Sequence, residues 1–224
     1  MTNKQILVIG DIHAEWPNLF GKVQRLDVRD SLLISAGDIG IGFIPPNEQE
    51  RQFEHLNNFF AARNVEFWGI RGNHDDPQYF DGSVNLSNFR LLKDYHTETL
   101  NDKKFLFVGG AISIDRKVRR FGINYWPDEK FILKPDLVEK CDVLITHTAP
   151  TWSGPFDKTN ISDWVEKDLG LWSECYEERR GVGELIKLAK PSKHYCGHFH
   201  LSSWNDVDEC ESRILDILEI YEVR

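Results

Sequence analysis

Gln5-Ile6-Leu7-Val8-Ile9-Gly10-Asp11-Ile12-His13 joins a short apolar run to a glycine, a carboxylate and an imidazole. An apolar run through Ile9 that ends at a glycine reads as a strand buried on both faces, the pattern of a parallel sheet. The run is too short for the core of a signal peptide, and no basic-then-apolar leader precedes it. The glycine ends the strand, and the two chemically active side chains follow at its carboxyl end.

The same sentence is written several more times along the chain. Residues 15–26 carry Trp16, Leu19, Phe20, Val23 and Leu26 at helical spacing. Residues 31–35 form the next strand and close at Gly37-Asp38. A Gly/Pro-rich loop, 40–46, leads to a helix expected over about 47–63, with Phe53, Leu56, Phe59 and Phe60 on one stripe. A third strand, 65–70, runs into Arg71-Gly72-Asn73-His74. This β-α-β-α-β opening predicts a parallel sheet with helices packed on it.

The second half has shorter strands, at 89–92, 96–100 and 105–108, with Asn101-Asp102-Lys103 as a hairpin turn between the last two. Gly109-Gly110 opens an irregular stretch to about residue 136. A buried strand at 142–146, a helical region at 173–190 and closing strands at 193–196 and 214–221 complete the pattern. With no repeat or linker, residues 1–224 are expected to form one α/β domain: two mixed sheets packed face to face as a sandwich flanked by helices.

Composition sets the outer limits. Hydrophobic residues make up 41% and charged residues 28% of the 224, enough for a real core. No run approaches the roughly 18 apolar residues that span a bilayer, so no membrane partner is expected and the cytoplasm is the default location. A net charge of −9 argues against an extended nucleic-acid surface. Cys141, Cys175, Cys196 and Cys210 lack C-x-x-C spacing and read as free thiols.

Five blocks then stand at predicted strand ends: Gly10-Asp11-Ile12-His13, Gly37-Asp38, Gly72-Asn73-His74-Asp75, Thr146-His147-Thr148 and Gly197-His198-Phe199-His200. Their carboxylates, amide oxygen and imidazoles are a ligand set for two divalent cations, Mn²⁺ foremost, with Fe or Zn²⁺ next and Mg²⁺ disfavoured by so many imidazoles. The two-residue period of a strand would put Asp11 and His13 on one face, and likewise His198 and His200, with Phe199 turned into packing. Asp38 has two oxygens and can bridge. The glycines permit sharp turns and close backbone approach. Cations about 3.5–4 Å apart stabilise the attacking and leaving oxygens of a phosphoryl displacement, with a metal-held hydroxide as nucleophile.

On these blocks the chain, from Gly10 to His200, resembles the calcineurin-like metallophosphoesterases. The resemblance implies a two-sheet α/β sandwich and a dinuclear metal centre. It implies that Asp11, His13 and His200 hold one ion, that Asn73, His147 and His198 hold the other, and that Asp38 bridges them. His74 would be the catalytic imidazole that hydrogen-bonds the substrate phosphate or protonates the leaving group. The protein-phosphatase branch continues its second block as G-D-x-V-D-R-G, whereas this chain has Gly37-Asp38-Ile39-Gly40-Ile41-Gly42 and lacks that Asp and Arg.

Substitutes for the missing Arg are Arg71, Arg116 and Arg119, the last two in a segment with four cations in five positions, 116–120. A solvated charged loop is the plainer reading of that segment. His55 reads as a surface residue, His96 as structural, and His194 as a hydrogen-bonded edge residue. Trp126, Trp152, Trp164 and Trp172 read as core packing first and as a substrate wall second. The function expected is a phosphatase-type phosphoester hydrolase. A nucleotide or nucleic-acid phosphodiesterase, suggested by Asp75 and the Arg-aromatic loop, is the enzymatic alternative. A catalytically silent metal-binding partner protein is the other.

Overall fold

The computed structural model describes residues 4–155 and 161–223. The chain first lays down β1 (Gln5–Ile9), α1 (Trp16–Arg25), β2 (Ser31–Ser35), α2 (Pro46–Ala61), β3 (Glu66–Gly69) and β4 (Phe89–Leu91). Then come β5 (His96–Leu100), β6 (Lys103–Val108), β7 (Val143–Thr146), α3 (Ser162–Val165) and α4 (Leu171–Ala189). It closes with β8 (Lys193–Cys196), β9 (Ser203–Val207), β10 (Cys210–Ile214) and β11 (Ile220–Glu222).

Alternation along the strands builds the layers. In β1, Ile6 and Val8 face one side and Leu7 and Ile9 the other, as an extended backbone requires. Leu7, Ile9 and Leu33 pack under Leu19 and Val23 of α1 and Phe53, Leu56 and Phe60 of α2. Ile6, Val8, Leu32 and Ile34 instead meet Phe105, Phe107, Val143, Ile145 and Tyr195 of the second sheet. On that sheet's far face, Leu106, Val108 and Leu144 lie against Val182, Leu185 and Ile186 of α4. The result is helix, sheet, sheet, helix, held by three apolar layers.

Both sheets are mixed. The first has strand order β11-β1-β2-β3-β4, parallel except for β11, which runs antiparallel to β1. The second runs β5-β6-β7-β8-β10-β9, with β6, β7, β8 and β10 parallel and an antiparallel strand at each edge. All five blocks follow the carboxyl ends of parallel strands: β1, β2 and β3 in one sheet, β7 and β8 in the other. Loops gathered at that end of a sheet are the usual seat of a site in α/β proteins.

Two sequence expectations are corrected. Residues 214–221 are not one strand: Ile214 ends β10 in the second sheet, and the chain crosses over to add β11 to the first. The hairpin β9–β10 was not foreseen, because its turn, Asp208-Glu209, takes positive φ at both residues (51° and 67°) without the usual Asn or Gly. The expected hairpin at Asn101-Asp102 is present, also with both φ positive (48° and 62°), and Lys103 already belongs to β6.

Candidate metal centre

Backbone geometry, not strand pleat, aims the donors. His13, Asp38, His198 and His200 all have left-handed φ (50°, 47°, 71° and 50°). Such conformations are uncommon outside glycine and cluster at functional sites. The two-residue strand period expected for Asp11-x-His13 and His198-x-His200 therefore does not apply: both pairs lie on turns beyond β1 and β8. Phe199 packs against the Ala149, Cys196 and Ile214 cluster as expected, but its ring also lies edge-on to His198 and lines the adjoining cavity.

The donors converge in two groups. Single ligand atoms of Asp11, His13, Asp38 and His200 lie within 4.8 Å of one another, as do those of Asp38, His147 and His198. The Nε2 of His200 is 3.0 Å from Asp11 Oδ2 and 2.8 Å from His13 Nε2. Asp38 belongs to both groups and divides its oxygens between them: Oδ2 is 3.7 Å from His13 Nε2, and Oδ1 is 3.1 Å from His147 Nε2. Asn73 joins the second group, with Oδ1 3.1 Å from His147 Nε2.

The surrounding hydrogen bonds fix which atoms are presented. His147 Nδ1 lies 2.7 Å from the carbonyl of Ala36, which requires a proton on Nδ1 and turns Nε2 toward Asp38 and Asn73. The amide nitrogen of Asn73 donates to Ser113 Oγ (3.2 Å), so its oxygen faces inward. The backbone N–H of Ser113 is in turn held by Glu129 Oε1 (2.8 Å). Close packing demands glycine at two places: a Cβ on Gly72 would strike Asp38 Oδ1 and approach His147 Nε2 to 2.7 Å, and one on Gly197 would strike Asp11 Oδ1.

Charge is concentrated here under burial. Burial opposes the ionised forms, yet the hydrogen bonds of His13 and His200 bring Asp11 down to about 2. Burial likewise opposes the His147 imidazolium, but the charge and hydrogen bond of Asp38 lift it to about 9. Buried His198 has burial as its dominant influence and drops to about 3. Facing carboxylates and imidazole nitrogens in two sets with a shared Asp suit a pair of borderline divalent cations, with binding at His147 displacing its proton. The donor set thus fits such a group, with Asp11, His13 and His200 at one position, Asn73, His147 and His198 at the other, and Asp38 between.

His74 stands beside the cage rather than in it. Its backbone N–H donates to Asp38 Oδ1 (2.7 Å), and its ring is edge-on to His13 with centroids 4.7 Å apart. Its Nε2 is 2.6 Å from Arg119 Nη2; a guanidinium only donates, so the imidazole accepts. Burial first, then the nearby Arg119 and His13, pushes the His74 pKa down to about 4 against the pull of Asp38.

Of the three arginines expected to grip phosphate, the structure brings only Arg119 to the site. It lines a cavity of about 520 Å³ that opens from Asp38, Asn73, His74, His198 and His200, and Asp115 holds its Nε at 2.6 Å. Arg71 is buried and spends its guanidinium on Asp94 and on the carbonyls of Asp128, Glu129 and Lys130. Arg116 is turned to Asp168 (2.6 Å) and bidentately to Glu174 (2.7 and 2.8 Å). Both fasten the irregular 109–136 stretch in place. Asp75, linked in the sequence reading to diester substrates, is fully buried and accepts the backbone N–H groups of Ile39, Gly40, Ile41 and Gly72. It clamps the second block to the third and is not among the residues lining the cavity beside the cage.

The remaining histidines lie apart from the cage. His194 is buried between Thr146 Oγ1 and Ser212 Oγ (2.7 and 2.8 Å), His55 packs beside Phe20, and His96 lies near Glu98. Trp164 and Trp172 line the cavity, while Trp126 and Trp152 are packing residues. Sequence reasoning missed Ser113, Glu129 and Glu178, whose single polar letters inside an irregular loop and a helix carry no spacing signal.

The loops at one rim of the two sheets thus gather seven side chains of the kinds that can ligate metal ions. Residues 4–202 match the family described as calcineurin-like phosphoesterase, and the chain belongs to that family. It is accordingly a hydrolase acting on phosphoester bonds, with residues suited to metal ions. No curated protein sequence matches the chain. Among solved structures, a phosphopantetheinyl hydrolase (PptH) from Mycobacterium tuberculosis aligns at 12% identity and TM-score 0.50, over 99% of this chain and 96% of that one. A novel archaeal phosphodiesterase aligns at 13% identity and TM-score 0.43, over 98% of each chain. A conserved uncharacterized protein of Streptococcus pneumoniae TIGR4 aligns at 10% identity and TM-score 0.42, over 97% of this chain and 74% of that one. At such identities the PptH likeness speaks to fold.

Proposed function

We propose that this chain is a phosphatase-type enzyme that works with two divalent cations, Mn²⁺ foremost and Fe or Zn²⁺ as alternatives, as one domain acting in the cytoplasm. The observation that carries the reading is Asp38, whose two oxygens face two separate donor groups. When bound, such a pair supplies Lewis-acid charge at the phosphoryl group and acidifies a water for attack. Asp11, His13, Asp38, Asn73, His147, His198 and His200 hold the cations. Arg119 meets the phosphoryl oxygens from the cavity side, where its Nη2 already shares His74 Nε2.

His74 is neutral in this state, because burial and the adjacent guanidinium disfavour its cation. Its first contribution is therefore a hydrogen bond. A phosphate ester arriving at Arg119 brings negative charge that draws the guanidinium away and raises the imidazole's proton affinity. The ring can then take a proton from solvent at Nε2 and pass it to the leaving oxygen. The size of the cavity, about 520 Å³, also accommodates a second ester arm, which favours the diester reading as the alternative.

The test strips the protein with chelator and reloads it with Mn²⁺, Zn²⁺ or Mg²⁺ in turn. Metal per chain is then counted, and p-nitrophenyl phosphate is compared with its bis ester. Two ions per chain and preference for the monoester are expected, with Asp38→Asn losing both metal and turnover. One ion per chain at saturation overturns the dinuclear reading, and preference for the bis ester overturns the phosphatase assignment.

A further inference from the structure

Beyond the donors, the cavity is walled mainly by rings and aliphatic side chains: Trp164 of α3, Trp172 and Tyr176 of α4, Phe199 beside the cage, and Ile114 of the irregular stretch. At about 520 Å³ it lies within the range of roughly 300–1,000 Å³ typical of sites that enclose a whole small ligand. A phosphoryl group at the cation end leaves most of that volume to the ester's organic part.

The charged groups in this wall are committed elsewhere. Arg179 donates to the carbonyls of Ala149, Pro150, Ser153, Gly154 and Pro155, and its guanidinium lies 4.9 Å from the centre of the Phe199 ring. The Glu178 carboxylate accepts the backbone N–H groups of Ile112 (3.1 Å) and Phe131 (3.0 Å). Asp115 is held by Arg119. Thr148, next to the ligand His147, lines the same cavity, and its buried hydroxyl has no hydrogen-bond partner among the described residues. Among the described residues this wall offers a sugar or peptide few uncommitted hydrogen-bond partners, so more water contacts are lost than regained, which is costly. An apolar group loses nothing of the kind and gains burial against the rings.

We propose that the preferred substrates are phosphate esters of apolar, ring-bearing alcohols, with the phosphoryl group at the cation cage, the ring against Trp164, Trp172 and Tyr176, and the Thr148 hydroxyl serving one polar atom near the ester. The proposal rests on the phosphoester-hydrolase reading above and names the substrate class of that same site. Trp164 and Tyr176 are then specificity-determining residues contributed by α3 and α4.

The test compares 1-naphthylmethyl phosphate with glycerol 3-phosphate on the metal-loaded full chain. Both are alkyl esters, so the comparison reads the pocket and not the ease of leaving. The naphthyl ester is expected to have a kcat/KM about tenfold or more higher, in line with what apolar pockets discriminate. That ratio falls at least about threefold in Trp164→Ala and, separately, in Tyr176→Ala, and Trp164→Phe restores it. Binding of the non-hydrolysable 1-naphthylmethylphosphonate, followed by tryptophan emission, weakens in the same order and needs no turnover. Equal kcat/KM for the two esters, or variants that leave the ratio and the phosphonate affinity untouched, overturns the proposal while hydrolysis persists. Adenosine 5′-phosphate outrunning the naphthyl ester also overturns it, because a ribose needs more polar partners than the described residues of this wall offer. Metal-loaded protein that cleaves none of the esters yet binds the phosphonate fails the hydrolase reading instead and leaves the pocket assignment standing.

Discussion

The Nε2 of His74 accepts from Arg119 while its backbone N–H is given to Asp38, so a single residue touches both the cage and the cavity. Replacing the ring while keeping the backbone separates these duties. His74→Asn is expected to retain its metal stoichiometry, measured by elemental analysis, and to lose about 10²–10⁴ in kcat, the usual worth of a positioned proton donor; an unchanged kcat removes His74 from the reaction. The two arginines of the basic segment should part company. Arg119→Ala raises KM for phosphate esters, whereas Arg116→Ala lowers the melting temperature and leaves KM in place, because its partners are Asp168 and Glu174. The sequence shows that cations are crowded at 116–120 but carries no information on where each guanidinium points. That is why Arg71 and Arg116 looked equal to Arg119 before the structure separated them.

The strands were readable because β1, β2, β3 and β7 each have an unbroken apolar centre and lead into a donor block. The hairpin β9–β10 was not, since polar Ser203, Asn205 and Ser212 take its inward positions while Trp204 faces out, and its turn lacks Gly or Asn. The left-handed φ angles of the donors were equally hidden, because His13 and His200 are letters that reveal a ligand type and not a turn. The loops themselves are pinned by buried carboxylates. Asp75→Ala strips an acceptor from four backbone N–H groups and should cost about 3 kcal/mol, seen as a drop of roughly 6–12 °C in melting temperature. Glu178 ties α4 to Ile112 and Phe131, and burial raises its pKa from 4.5 to about 7. Between those values the folded chain binds a proton that the unfolded chain has released, so stability declines as pH rises from about 4.5 to about 7 and levels off above. The decline attributable to this carboxyl is about 3 kcal/mol. In chelator-treated protein Glu178→Gln should flatten that slope; thermal melts at pH 5, 6 and 7 that remain parallel to the unmodified chain would refute the assignment.

The two sheets share one apolar layer and one cage. Phe107, fully buried between them, should cost about 3–5 kcal/mol on change to Ala. If the proposed cations bind, residues after β1, β2 and β3 on one side and β7 and β8 on the other would tie the sheets together, so loading should raise the melting temperature. At a free metal concentration about 100 times the dissociation constant the gain is about 2.7 kcal/mol, and Asp38→Asn should abolish most of it; a melting temperature indifferent to metal would argue that the donors are not assembled as described. The placement of β11 adds a constraint of timing. Its residues flank β1, and the backbone N–H groups of Gly10 and Leu218 bond to Glu219 and Asp11 respectively. A nascent chain leaving the ribosome N-terminus first must therefore carry β1 with one naked border until residues 218–222 emerge. Ribosome-stalled intermediates shorter than that would present the first donor block without its final brace, and chaperones that shield exposed strand borders would find their longest window there.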